Sequence, residues 1–161
     1  MAFNLGGMSG SLGIQDHRSV FFNPENKELK IAPVVCYESI YGEYVGQYVK
    51  NGAGLIFIIT NDGWWGDTPG YRQHCSYARL RAIEHRRSIA RSANTGISCF
   101  INQKGEMLQS SAYWKAAVLK ETLNVNSTIT FYTRYGDYIA RVSMGICFLL
   151  LLVWTSQILK K

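Results

Sequence analysis

Two short apolar runs, each handing over to a longer polar segment, constrain the fold most. Leu29 to Cys36 and Leu55 to Thr60 are brief and partly β-branched, as buried strands are. Ser39 to Asn51 follows the first, with Ile40, Tyr44 and Tyr48, and Val45 and Val49, at helical spacing and Gly52 just past its end. Gln73 to Arg87 follows the second and is rich in helix formers, after a polar-aromatic loop from Asn61 to Gly70. The alternation predicts an α/β layer protein with a mixed sheet.

The flanks extend the pattern. Met1 to Asp16 reads as a Gly/Ser-rich loop, and Ser19 to Phe22 as a strand that turns through Asn23 to Lys27 into the next. Ile89 to Ser92, Ile97 to Asn102, Met107 to Ser110 and the alternating Val118 to Val125 read as further strands. Phe131 to Asp137 reads as a linker. The 161 residues suit one domain with a packed core, at 47% hydrophobic and 17% charged.

A mostly apolar segment, Val142 to Leu159, precedes Lys160 and Lys161. Counted from Ile139 it has the ~20 residues a spanning helix needs. Arg141 can snorkel at one end, and Trp154 suits the other interface. The expectation is a membrane helix; a buried core helix is the alternative. The net charge of +6 favours an anionic surface. Phospholipid suits it better than nucleic acid, since the only dense basic patch is Arg79, Arg81, Arg86, Arg87 and Arg91 and no recognition motif accompanies it. Cys36, Cys75, Cys99 and Cys147 match no zinc pattern, and His17, His74 and His85 form no ligand cluster, so no metal and no cofactor is expected.

Chemistry concentrates at Val34-Val35-Cys36-Tyr37-Glu38-Ser39. A strand that ends on a cysteine before a helical turn offers the thiol unpaired N–H groups and the positive end of a dipole, which favour thiolate. A plain buried core cysteine is the competing reading. The N–H of Tyr37 is placed as an oxyanion donor. Glu38 is either a site carboxylate or a first-turn residue favoured by the dipole. In open α/β sheets, functional groups gather at the carboxyl ends of strands. Asn61-Asp62 and Ser92 to Asn94 occupy two more such ends.

Several segments, in order, resemble the nitrilase (carbon–nitrogen hydrolase) superfamily. They are Cys36-Tyr37-Glu38, Thr60-Asn61-Asp62-Gly63-Trp64-Trp65-Gly66, Gln73-His74, Ala78 to Glu84, Arg91 to Ile97 and Gln103 to Glu106. The Asn-Asp-x-Trp-x-Gly loop, the Arg-Ser-x-Asn-x-Gly turn and the single C-terminal span resemble the apolipoprotein N-acyltransferase branch rather than soluble amidases.

The resemblance implies part of an αββα sandwich over 1–133, then a linker and C-terminal transmembrane helix over 134–161. It implies a bacterial inner-membrane location, with the catalytic domain facing the periplasm. The implied reaction carries an acyl chain from a phospholipid donor, through a thioester on Cys36, to the diacylglyceryl-cysteine of a lipoprotein acceptor. Cys36, Tyr37 and Glu38 match the catalytic segment. Trp64 matches a tryptophan over the acyl pocket, with Asn61 and Asp62 beside it as substrate-binding candidates; an ordinary packing aromatic is the alternative for Trp64. The family's triad is Glu-Lys-Cys, and the Lys-x-x-Leu-Val-Pro-like segment carrying the lysine is not found here; Lys27 and Lys30 lie too close to Cys36 to be that residue. The chain thus reads as the C-terminal portion of an enzyme, inactive alone, with a missing N-terminal half as a further partner. A soluble-type amidase or nitrilase and a non-catalytic membrane-tethered module are the other two readings.

Overall fold

The computed structural model describes residues 2–5, 8–11 and 15–160. Its centre is a six-stranded mixed sheet. In chain order the strands are β3 (Phe21–Phe22), β4 (Lys30–Val35), β5 (Leu55–Thr60), β6 (Ser88–Ala93), β7 (Cys99–Ile101) and β8 (Met107–Ser110), and they lie side by side in that order. β4, β5 and β6 run parallel; β3, β7 and β8 are antiparallel to their neighbours. Two helices make the parallel crossovers: α1 (Gly42–Lys50) between β4 and β5, and α2 (Pro69–His85) between β5 and β6.

Period-2 alternation along the strands sorts the faces. Ala32 and Val34, Ile56 and Ile58, and Ile89 point to one side, where Val45 and Val49 of α1 and Cys75, Ala78 and Ala82 of α2 close the core. Val35, Phe57 and Ile59 point to the other side and stay exposed, Val35 by 57% and Ile59 by 63%. Among the described residues the helices thus cover one face of the sheet. This is one half of the layered arrangement that the sandwich resemblance implies.

Several expectations give way to local physics. Ala2–Leu5 (β1) and Met8–Ser11 (β2) pair antiparallel where a loop is expected; residues 1, 6, 7 and 12–14 of that stretch lie outside the described residues. The helix expected from Ser39 divides into a tight 3₁₀ turn, Cys36–Ile40, and α1, because Tyr41 between them is extended at φ −93° and ψ 100°. α2 starts four residues earlier than the periodicity suggests. Thr68 caps it and Pro69 opens it, a proline position that loses no helical hydrogen bond.

Val118 to Val125 forms no strand. Carbonyls of this stretch accept from side chains instead: Lys120 O from Gln109 Nε2, and Asn124 O from Ser88 Oγ and Gln103 Nε2. The expected linker contains a short helix, α3 (Phe131–Tyr135), which leads into α4 (Tyr138–Leu159). α4 is long and apolar enough to cross a bilayer, and none of its residues is buried by the rest of the protein.

The basic patch also resolves differently. Arg81, Arg87 and Arg91 are buried. Arg87 donates to the carbonyls of Ala53, His85, Arg86 and Thr128, stapling the 124–128 coil to the end of α2. These cations are bonds of the core rather than a surface for a polyanion.

Candidate active site at the end of strand β4

Cys36 leaves β4 with φ +50°, a left-handed conformation that costs a non-glycine residue about 1–2 kcal/mol. Such strain persists only where the surroundings over-determine it, and it clusters at functional sites. Here the determinants are visible. The Cys36 carbonyl accepts from Ser39 Oγ at 2.8 Å and faces His74 Nε2 at 3.2 Å. Glu38 folds back: its Oε2 accepts from the N–H of Val35 at 2.8 Å, and its Oε1 accepts from the Tyr44 hydroxyl. Burial, then the Glu38 carboxylate, holds the Tyr44 phenol above its usual range, so it remains a donor. Arg18 donates to the same hydroxyl at 2.7 Å and lies over the ring.

The thiol is partly exposed. Thr60, the last residue of β5, donates its hydroxyl to Cys36 Sγ at 3.2 Å. The same hydroxyl lies 3.0 Å from Asp62 Oδ1. One proton therefore has two acceptors, the sulfur and the carboxylate.

Asp62 is fully buried. Its Oδ2 accepts from Arg91 Nη2 at 2.7 Å, and its Oδ1 lies 3.0 Å from His74 Nδ1. Burial alone would raise the carboxyl's pKa. The hydrogen bonds from His74 and Arg91, with the Arg91 charge, outweigh it and hold the group below its ordinary value. Arg91 also donates to the carbonyl of Ile97, so β6 and the loop after it are drawn onto Asp62. Gly96 completes the enclosure, because a Cβ there would overlap the Asp62 carboxylate.

The residues singled out from sequence divide into two groups. Cys36, Tyr37 and Glu38 share one turn, with Tyr37 directly after Cys36, where an N–H has no partner within a helical turn. The Tyr37 ring is half exposed and stands 5.7 Å from His74 and 6.2 Å from Trp65, centre to centre. Glu38 has both oxygens engaged in holding the turn. Trp64 stands out into solvent at 75% exposure, on the short turn Gly63–Trp65. Asn61 is exposed; its Oδ1 accepts from Gly63 N in its own loop and from Thr95 Oγ1 in the turn after β6. Asp62, adjacent in sequence, points the opposite way into the core.

Sequence reasoning gives no role to Thr60, Ser39, His74 or Arg91, although all four lie within quoted segments. A legible signal was the hydroxyl ending an otherwise apolar strand. Thr60 follows Ile56 and Ile58 on the covered face, so its side chain had to turn towards the strand end beside Cys36.

Known proteins share the sequence and the fold. The carbon–nitrogen hydrolase family model matches residues 10–132. The chain is 36% identical over 154 residues to an apolipoprotein N-acyltransferase of Chlorobaculum tepidum, covering 95% of this chain and 29% of that protein. It is 40% identical over 119 residues to the enzyme of that name from Bradyrhizobium diazoefficiens, covering 73% and 22%. The chain thus spans under a third of the length of these relatives. Among solved structures, an amidase from Nesterenkonia sp. superposes with a TM-score of 0.54 at 16% identity, over 71% of this chain and 44% of that one, a likeness of fold. By the family model, the sheet order and the strand-end cysteine together, this chain belongs to the carbon–nitrogen hydrolase family.

Proposed function

We propose that this chain is the nucleophile-bearing portion of an apolipoprotein N-acyltransferase. The strained thiol at the end of β4 carries the reading, set beside 36% identity to a protein of that name and an unburied apolar helix. In this proposal the Cys36 thiolate attacks the ester carbonyl of a membrane phospholipid. The lysophospholipid alkoxide leaves and takes up a proton, and an acyl thioester remains on Sγ. The α-amine of a diacylglyceryl-cysteine then attacks the thioester, loses a proton to a base, and releases the thiolate.

The residues present support the first half of that cycle. Thr60 supplies a hydrogen bond to the sulfur, and the N–H of Tyr37, at the start of the turn, is the oxyanion donor in this reading. Glu38 acts by fixing the turn, since both its oxygens are already engaged. The general base and the charged oxyanion donor belong to sequence that these 161 residues do not carry, so the fragment alone does not turn over. Missing groups of this kind cost about 10²–10⁴-fold each. The location proposed is the bacterial inner membrane, with the sheet domain on the periplasmic side.

The test is a Cys36→Ser substitution in the complete polypeptide, incubated with phospholipid. The wild-type protein should gain one acyl mass that hydroxylamine removes, and the variant none. A thioester that persists in the variant overturns the reading. The amidase alternative rests on the fold alone; amide hydrolysis without acyl transfer would favour it.

A further inference from the structure

Cys75 on α2 and Cys99 on β7 face each other across the core with their sulfurs 3.8 Å apart. Both are free thiols, 2% and 1% exposed. The acyl-transfer proposal uses neither. Their surroundings connect them to the site nonetheless. Cys75 follows His74 in sequence, and Cys99 is the register partner of Arg91 across the β6–β7 pair. His74 and Arg91 are the two side chains that grip Asp62 beneath Cys36 and Thr60.

We propose that Cys75 and Cys99 are a redox pair that closes to a disulfide, locking α2 to β7 behind the nucleophile. A disulfide brings its sulfurs to ~2.05 Å, so closure requires an approach of roughly 2 Å. Side-chain torsion with a slight shift of α2 supplies that. The chemistry balances as exchange with a small-molecule or protein disulfide. The Cys75 thiolate attacks one sulfur of the oxidant and expels a thiolate. Cys99, losing its proton, then attacks Sγ of Cys75 and expels the second. One S–S bond forms and one breaks, and the oxidant leaves as two thiols.

The two cysteines are not equivalent. The hydrogen bond between the two sulfurs lowers the Cys75 thiol against the penalty of burial, and the Arg91 charge helps. The same hydrogen bond and burial push the Cys99 thiol up. In this proposal Cys75 attacks first and Cys99 resolves. Both are buried, so the first step waits on local opening of α2 from β7.

Oxidised glutathione, at graded ratios to the reduced form, tests this on the full chain in detergent micelles. After acid quench, unfolding and alkylation, digestion should yield one linked peptide pair joining positions 75 and 99, two hydrogens lighter than the reduced pair. Cys36 and Cys147 should be recovered alkylated or capped by glutathione, and joined to no other cysteine. The link should vanish in Cys99→Ser, and the melting midpoint of the oxidised wild type should exceed that of the reduced. The same treatment of urea-unfolded chain should give mixed pairings, so selectivity reports the folded geometry whatever the stability of the variant. Alkylation of both Cys75 and Cys99 at ratios that oxidise the unfolded chain overturns the proposal. So does a glutathione cap on each, or the same mixed pairings as in urea.

Discussion

At the scale of single residues, the Thr60 hydroxyl chooses between Cys36 Sγ and Asp62 Oδ1. When the sulfur carries charge, the proton turns towards it. In the proposed acyl-enzyme the hydroxyl turns instead to Asp62 Oδ1, which accepts its hydrogen bond. A hydrogen bond to a charged group contributes about 1.5–3 kcal/mol. Thr60→Val keeps the shape and removes the proton, so thioester formation in the complete protein should slow by about 10-fold or more. Single-turnover acylation, followed by mass, measures it; an unchanged rate would reduce Thr60 to packing. Cys36 was legible in the sequence because a strand-end thiol before a helical turn has its own logic. Thr60 was not, because its partner lies 24 positions away and only the parallel register of β4 and β5 brings them together.

At the scale of elements, His85 ends α2 and joins it to two others. Its Nε2 donates to Gly42 O of α1 at 3.1 Å, and its Nδ1 meets Thr133 Oγ1 of α3 at 2.8 Å. Burial, with the charges of Arg81, Arg87 and Lys50 nearby, pushes its pKa down to about 4, although the Gly42 carbonyl opposes this. Unfolded, the ring titrates near its usual ~6.5. Between these values the unfolded chain holds a proton that the folded chain lacks, so stability falls as pH drops from about 6.5 towards 4. Thermal midpoints at pH 7 and pH 5 should show this loss, and His85→Gln should flatten it; equal slopes would remove His85 from the account. The elements themselves were readable where burial imposed a period: Leu55 to Thr60 is the strand its sequence announces. The reading failed where side chains took the backbone's partners, as along 118–125. It also failed at Tyr41, whose extended backbone separates two helical turns that look continuous in sequence.

At the scale of the whole molecule, the sheet has a covered face and an open one, and α4 stands clear of both. Beyond its first turn, none of this apolar helix is buried among the described residues, and its side chains need another apolar phase. The chain should stay with membranes through an alkaline wash, and removal of residues 138–161 should shift it towards the aqueous phase on detergent separation; retention of the shortened chain would assign membrane attachment to another surface. Val35, Phe57 and Ile59 could provide that surface, so their exposure makes the second arm informative. The junction matters as much as the helix. Glu43 Oε1 accepts from the N–H of Asp137 and from Arg141 Nη2, Arg141 Nη1 holds the carbonyl of Tyr135, and Asp137 caps the first turn of α4. Those bonds tie the start of the helix to α1, the element that follows the Cys36 turn. For a membrane-held chain they fix the height and tilt of the sulfur above the lipid. Under the proposed reaction, the search for a lipid ester then becomes diffusion in a plane, at a local concentration set by the tether rather than by the bulk solution.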